Sequence, residues 1–240
     1  MFGPGWRSSF ELRVAPDDTG NPDAYLVDSP RVSTAIHFSR AADDTVVSAA
    51  LLLVAQRMAE HKGGAITEYL TRFHNDPAML DEAVAQLSAA GMLPAKPLPL
   101  ARYTTWDFGF ERLYRTTQGF ERLLDRGERQ IFDTTGRLIG KRNDSDQWSL
   151  RCEYDQRGRL ARIVELESPG RSFCFFYTPR GQVIRIDGVH PAGLTLSVYY
   201  DYDSRGRLIS VRHGEKDACP LHYTYDGESA NLTQEIVGDD

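Results

Sequence analysis

The stretch Tyr202-Asp203-Ser204-Arg205-Gly206-Arg207-Leu208 decides the reading of this chain, because it recurs. Close copies stand at residues 132–138 (FDTTGRL), 154–160 (YDQRGRL) and 177–183 (YTPRGQV), and a degenerate fifth copy begins at Tyr225. Their first residues lie 22, 23, 25 and 23 positions apart. Repetition at a period of roughly 20–25 residues marks a stacked architecture, in which one unit cannot bury its apolar face alone.

Each copy reads as a β-hairpin. An alternating strand leads in, as in WSLRCEY, and a second leads out, as in RLISVRH. Between them, aspartate at the first turn position can accept hydrogen bonds from backbone N–H groups ahead of it. Glycine at the fourth position supplies a positive φ without a Cβ penalty. The third copy places Pro179 at the second turn position, where its fixed φ suits a type I turn. In the outgoing strands Ala161/Ile163, Ile184/Ile186 and Ile209/Val211 are expected to share a face. The residue after the Gly-Arg pair is out of phase with them, which implies a bulge near the turn or two partly covered faces. Asp133, Gly136, Asp155, Gly158, Pro179, Gly181, Asp203 and Gly206 are therefore scaffold positions, because a catalytic residue is normally unique within its site.

Working outward, three zones emerge. Residues 1–42 hold short extended pieces punctuated by glycine, proline and aspartate, with strands expected at Phe10–Val14 and Ala24–Val27. Residues 43–100 form a helical insertion or cap. Asp43 or Asp44 starts a helix that Gly63-Gly64 stops, and a short one follows from about Ile66 to Phe73. Asp76 then caps a third helix with Pro77 at its first position, Leu80, Val84 and Leu87 on one face, and Gly91 at its end. Residues 101–240 are the repeat sheet. The fold class is thus α+β: an antiparallel sheet of stacked hairpins with a helical segment packed on it.

Composition is that of an ordinary globular chain: 240 residues, 41% hydrophobic and 26% charged. A net charge of -6 disfavours a nucleic-acid partner and a polybasic membrane anchor. The most apolar run, Val46–Ala55, is about half of the ~20 residues that a membrane span needs. The opening MFGPGWRSSF lacks the pattern of a secretory signal, so a cytoplasmic location is expected. Cys152, Cys174 and Cys219 are odd in number and show no metal-ligand spacing, and stacking in register would turn Cys152 and Cys174 to opposite faces. The six histidines form no HExxH or HxH, and neither a nucleophile elbow nor a phosphate loop is present. No metal, cofactor or enzymatic activity is expected.

Aromatic residues crowd the repeats. Tyr154, Tyr177, Tyr199, Tyr202 and Tyr225 are candidate binding residues, as a platform for a protein partner or for carbohydrate, although aromatics on a sheet usually serve cross-strand packing.

The pattern YDxxGRL at this period resembles the YD repeats of Rhs proteins, also found in bacterial toxin-complex shells and teneurins. The resemblance covers about 110 residues from Ile131 onward, and Phe2–Ser8 (FGPGWRS) resembles the segment that opens many Rhs repeat regions. It implies a sheet that spirals into a hollow shell around a toxic C-terminal cargo. Four or five hairpins would give a curved or twisted sheet rather than a closed container. The family's self-cleaving DPxGL-like motif is absent, since Asp76-Pro77 is followed by Ala78-Met79. The resemblance thus implies a short form with few repeats and without the C-terminal toxin. It would act by protein–protein contact in a bacterial polymorphic-toxin, type VI-like system. Its role would be that of a shell fragment or an immunity or accessory protein, its partner a toxin or an Rhs shell. Two other classes stay open: a carbohydrate-binding β-repeat module, and an enzyme with a site in the helical segment.

Overall fold

The computed structural model describes residues 12–17, 24–27, 35–41, 44–105, 111–167, 170–214 and 218–238, with the side chains of 218 and 219 excepted. The opening segment Phe2–Ser8 and the first residues of the strand expected at Phe10–Val14 lie outside them. Among the described residues, sixteen strands follow one another in sequence order, and neighbours are antiparallel. Three helices fall between the third and fourth strands. Contacts divide the chain into two compact units, one of residues 13–28 and 34–137, the other containing 138–240.

The first unit holds β1 (Val14–Pro16), β2 (Ala24–Val27), β3 (Ile36–Arg40), β4 (Pro99–Thr104), β5 (Arg112–Thr116), β6 (Gly119–Leu123) and β7 (Arg129–Phe132). Its sheet curls until the first strand meets the turn that follows the last. Arg13 bridges to Arg137, and the Val14 N–H donates to the Gly136 carbonyl at 2.8 Å. This unit thus closes on itself, a feature that the reading of the repeats did not address. Val27, Phe38, Leu113 and Phe132 are almost wholly buried in it, and Tyr25 sets its ring edge-on to Tyr103 and Phe120, each at 5.0 Å.

The helices of this unit are α1 (Thr45–Lys62), α2 (Ile66–Asn75) and α3 (Pro77–Ala89). Asp44 caps α1 by accepting from the Val46 N–H at 2.8 Å, and Gly63 ends it with φ +79°. Asp76 caps α3, accepting from the Ala78 and Met79 N–H groups. α2 runs two residues past the expected Phe73 because nothing before Asp76 breaks it. Leu80, Val84 and Leu87 are buried together with Val54, Met58, Phe73 and Leu100. Leu100 belongs to β4, so the helical segment is anchored on its own unit's sheet.

The second unit holds β8 (Leu138–Arg142), β9 (Trp148–Tyr154), β10 (Leu160–Glu165), β11 (Ser172–Tyr177), β12 (Val183–Val189), β13 (Thr195–Tyr202), β14 (Leu208–His213), β15 (Ala218–Tyr225) and β16 (Leu232–Val237). Each motif hairpin carries one extra residue after its leucine or valine. Leu160 faces Tyr154 while Arg162 faces Glu153, so Ala161 is the bulged residue, and the shift recurs beside Tyr177, Tyr202 and Tyr225. The bulge lets Leu160 and Ile163, and likewise Leu208 and Val211, bury together. Ile184, expected to share a face with Ile186, is the bulged residue of its hairpin and is 39% exposed. Cys152 faces Ile163 and Cys174 faces Arg162, adjacent positions on β10, so the two thiols lie on opposite faces. Burial pushes the Cys152 thiol up to about 11, which makes it a packing group rather than a nucleophile.

Candidate functional site

The motif turns share one construction. In the Asp133, Asp155 and Asp203 copies, the glycine N–H donates to the aspartate carbonyl, and the aspartate N–H donates to the carbonyl of the arginine after the glycine. That is a type I turn closed by a glycine bulge, with φ of +79°, +75° and +84° at Gly136, Gly158 and Gly206. Thr178 and Gly181 repeat the same backbone bonds in the third copy. The aspartate Oδ1 accepts two backbone N–H groups, as in Asp203 from Arg205 at 3.0 Å and Arg207 at 2.8 Å. Thr178 Oγ1 does part of this work, accepting from the Gln182 N–H at 3.1 Å.

The other aspartate oxygen holds the arginine of the same turn. Nε of Arg137, Arg159 and Arg207 donates to Oδ2 of Asp133, Asp155 and Asp203 at 3.0, 2.8 and 2.7 Å. The hydrogen bonds from Arg159, first backbone and then side chain, lower the pKa of Asp155. At Asp133 and Asp203 desolvation works against the charge, but hydrogen bonds outweigh it and the pKa falls there too.

So held, the arginine reaches the following copy. The Arg159 guanidinium lies 4.5 Å from the Tyr177 ring centroid, and that of Arg207 lies 4.8 Å from Tyr225. Arg207 also donates to the carbonyls of Gly227 and Ser229 at 2.9 and 2.8 Å. Where the third copy has Gln182, its amide donates to the Gly206 carbonyl at 2.9 Å, so the link forward survives the change of residue.

The tyrosines reach backward. Tyr154 donates its hydroxyl to the carbonyl of Leu138, Tyr177 to Leu160, Tyr202 to Val183 and Tyr225 to Leu208, at 2.5 to 2.7 Å. Burial, followed by the nearby Tyr200 and Asp201, raises the pKa of Tyr202. Four of the five candidate binding tyrosines thus spend their hydroxyls inside the repeat stack. The fifth, Tyr199, lies on the other, charged face of the sheet, where Arg212 approaches its ring at 5.7 Å and bonds to Asp201. On that face Arg185 covers Phe176 at 4.0 Å.

Between the second and third copies these residues line an open crevice of about 500 Å³. Asp155, Arg157 and Arg159 form one wall, and Tyr177, Thr178 and Pro179 the other. It brings together residues from two adjacent motif turns, whereas Tyr154, Tyr202 and Tyr225 sit in separate copies. The crevice offers a ring edge and charged groups of both signs to a partner surface. Among the described residues no group of three or more His, Cys, Asp or Glu is placed to hold a metal ion. None of the helices described is long and apolar enough to cross a membrane.

Sequence reasoning missed the role of the motif arginine. Its signal was its fixed place four residues after the aspartate, visible in three copies. It also missed a buried polar group in the first unit, where Arg122, 5% exposed, donates to Glu111 and to Gln130 and approaches the Phe38 ring at 5.8 Å. No repeat or motif marks those residues.

Residues 116–218 match the family model described as Teneurin YD-shell. No curated protein sequence matches the chain. Similar solved structures include three Tc-toxin structures. TcdB2-TccC3-TEV aligns at 14% identity with a TM-score of 0.34, over 88% of this chain and 8% of that one. TcdB2-TccC3-Cdc42 aligns at 13% and 0.35, over 90% and 11%. The Tc holotoxin pore of Photorhabdus luminescens aligns at 15% and 0.33, over 92% and 10%. The chain thus spans about a tenth of the length of those chains.

Proposed function

From the match of residues 116–218 to the Teneurin YD-shell model, we propose that this chain is a non-catalytic shell element of the Rhs/YD-repeat kind that acts by protein–protein contact. The observation that carries the reading is the two-way interlock of the motif. Its tyrosine reaches back to one copy and its arginine forward to the next, so the recurring polar groups serve the stack rather than a reaction centre. The surface left for a partner is the row of motif turns, with the crevice at Arg157 and Tyr177 as its best-formed part. The setting is a bacterial polymorphic-toxin system, where the chain is a shell piece or an immunity or accessory protein and the partner is a toxin or an Rhs shell.

Affinity capture from the source cell with the tagged chain tests this. Retention of a toxin-system protein is expected, with loss of it in Arg157→Glu. A binding partner should also raise the melting temperature by mass action. The reading falls if the purified chain turns over a substrate and replacing one carboxylate or histidine abolishes that turnover.

A further inference from the structure

In the unit of residues 13–28 and 34–137, α3 and the β5–β6 turn enclose a recess of about 410 Å³ that the interlocking contacts of the repeats leave free. Its walls are apolar at Val84, Leu100 and Phe120 and polar at Asp81, Arg115 and Thr117. The Arg115 side chain is only 15% exposed. Its salt-bridge partner Asp81, on α3, is 61% exposed and lines the same recess. Thr117 Oγ1 accepts from the Leu98 N–H at 3.1 Å, which leaves its own hydrogen to donate.

We propose that this recess is a binding site for a singly charged carboxylate with an apolar body, which displaces Asp81 from Arg115. A guanidinium fork matches a carboxylate edge-on, and Asp81 already demonstrates that partner chemistry. Desolvation disfavours the Arg115 charge, so an anion buried beside it offsets a cost that a largely exposed aspartate meets only in part. Arg40 lies within electrostatic reach and adds attraction for an anion. The apolar walls suit a hydrocarbon or aromatic body, as expected for a small-molecule pocket of this size. Asp81 acts as a built-in competitor, because it surrenders its ion pair to water at little cost. Thr134 of the first motif turn lines its rim, but none of the contacts that interlock the copies takes part, so the site stands or falls independently of the shell reading.

The test titrates phenylacetate, and its neutral amide phenylacetamide, into the full chain while following the Arg115 Nε–H and Thr117 N–H resonances. Phenylacetate is expected to shift both, and phenylacetamide neither. Asp81→Asn should tighten phenylacetate about two- to fivefold, the scale set by an exposed ion pair. Arg115→Gln should lose binding with its melting temperature checked in parallel, and Asp81→Asn keeps the test decisive if that variant does not fold. Equal response to the amide, no tightening in Asp81→Asn, or displacement of phenylacetate by an equal concentration of inorganic phosphate would each overturn the assignment.

Discussion

The hydroxyl of Tyr225 donates to the backbone carbonyl of Leu208 at 2.6 Å, and Arg207, the residue before that leucine, covers the same ring. One aromatic side chain is thus held from two directions by the copy that precedes it. The same pair of contacts joins Tyr177 to Leu160 and Arg159.

Removing one contact should separate their contributions. Tyr177→Phe deletes the hydroxyl alone and should cost about 0.5–1.5 kcal/mol in chemical denaturation. Arg159→Met keeps the hydroxyl bond but removes both the cation over the half-buried Tyr177 ring, worth about 0.5–1 kcal/mol or more, and the Nε bond to Asp155, so it should cost a comparable or larger amount. If Tyr177→Phe is neutral, the latch is not a source of stability.

Acid should loosen the turns. The carboxylates of Asp133, Asp155 and Asp203 are lowered in the folded chain, so the unfolded state binds protons first as pH falls. Their stabilisation is complete above the ordinary aspartate value of about 4 and is lost as pH falls below it. Melting curves of Asp203→Asn and the parent chain should therefore differ at neutral pH and converge in acid. A constant offset down to the lowest pH would contradict this.

Alkali should report on the tyrosines. Burial raises Tyr202, so its neutral form stabilises the fold, and that contribution fades as pH rises past the ordinary value of about 10. Of the 11 tyrosines, Tyr200, Tyr202 and Tyr223, each raised by burial, should ionise late and together with unfolding in a titration followed by phenolate absorbance. In Tyr202→Phe the late fraction should shrink.

Two motif glycines should differ in tolerance. Both have positive φ, but a Cβ on Gly206 meets the flexible end of Gln182, whereas one on Gly136 collides with the Val14 backbone. Gly206→Ala should cost on the order of 1–3 kcal/mol from strain alone. Gly136→Ala should cost more, because it also breaks the contact that closes the first unit. Equal losses in thermal melts would argue that Val14 yields freely.

The helical segment should not detach. Leu87→Ala opens a cavity in a fully buried position and should cost about 2–5 kcal/mol. Limited proteolysis of the parent chain should not release residues 45–89 early, and in Leu87→Ala it should do so faster.

Much of this fold was legible in the residues. Asp76-Pro77 announces a helix start with no tertiary information, and the glycine of each motif announces a turn, because both act through local backbone chemistry. The bulge beside Leu160 was readable from a phase conflict between that leucine and Ile163. Three further turns escaped, at Leu124–Glu128, Asn143–Gln147 and His190–Leu194. They use the same geometry with other residues, and at Asn143–Gln147 a non-glycine, Asp146, takes the positive φ of 62°. The closure of the first unit was illegible for a different reason. It joins Val14 to Gly136 across more than a hundred residues, and periodicity carries no signal at that range. The candidate surface was half legible: the tyrosines were visible as aromatics, but their hydroxyls' destinations depend on register between copies.

The interlock reaches only to the adjacent copy, and so the array behaves as a zipper whose teeth are interchangeable. Excising one full period, from Asp155 through Tyr177, would remove the Tyr177–Leu160 latch whole and leave Tyr154 on Leu138 and Tyr202 on Val183. Such a chain can change its number of copies through evolution without rewriting the survivors. It should also melt by fraying inward from a free end, with amide exchange protection graded along the copies rather than uniform.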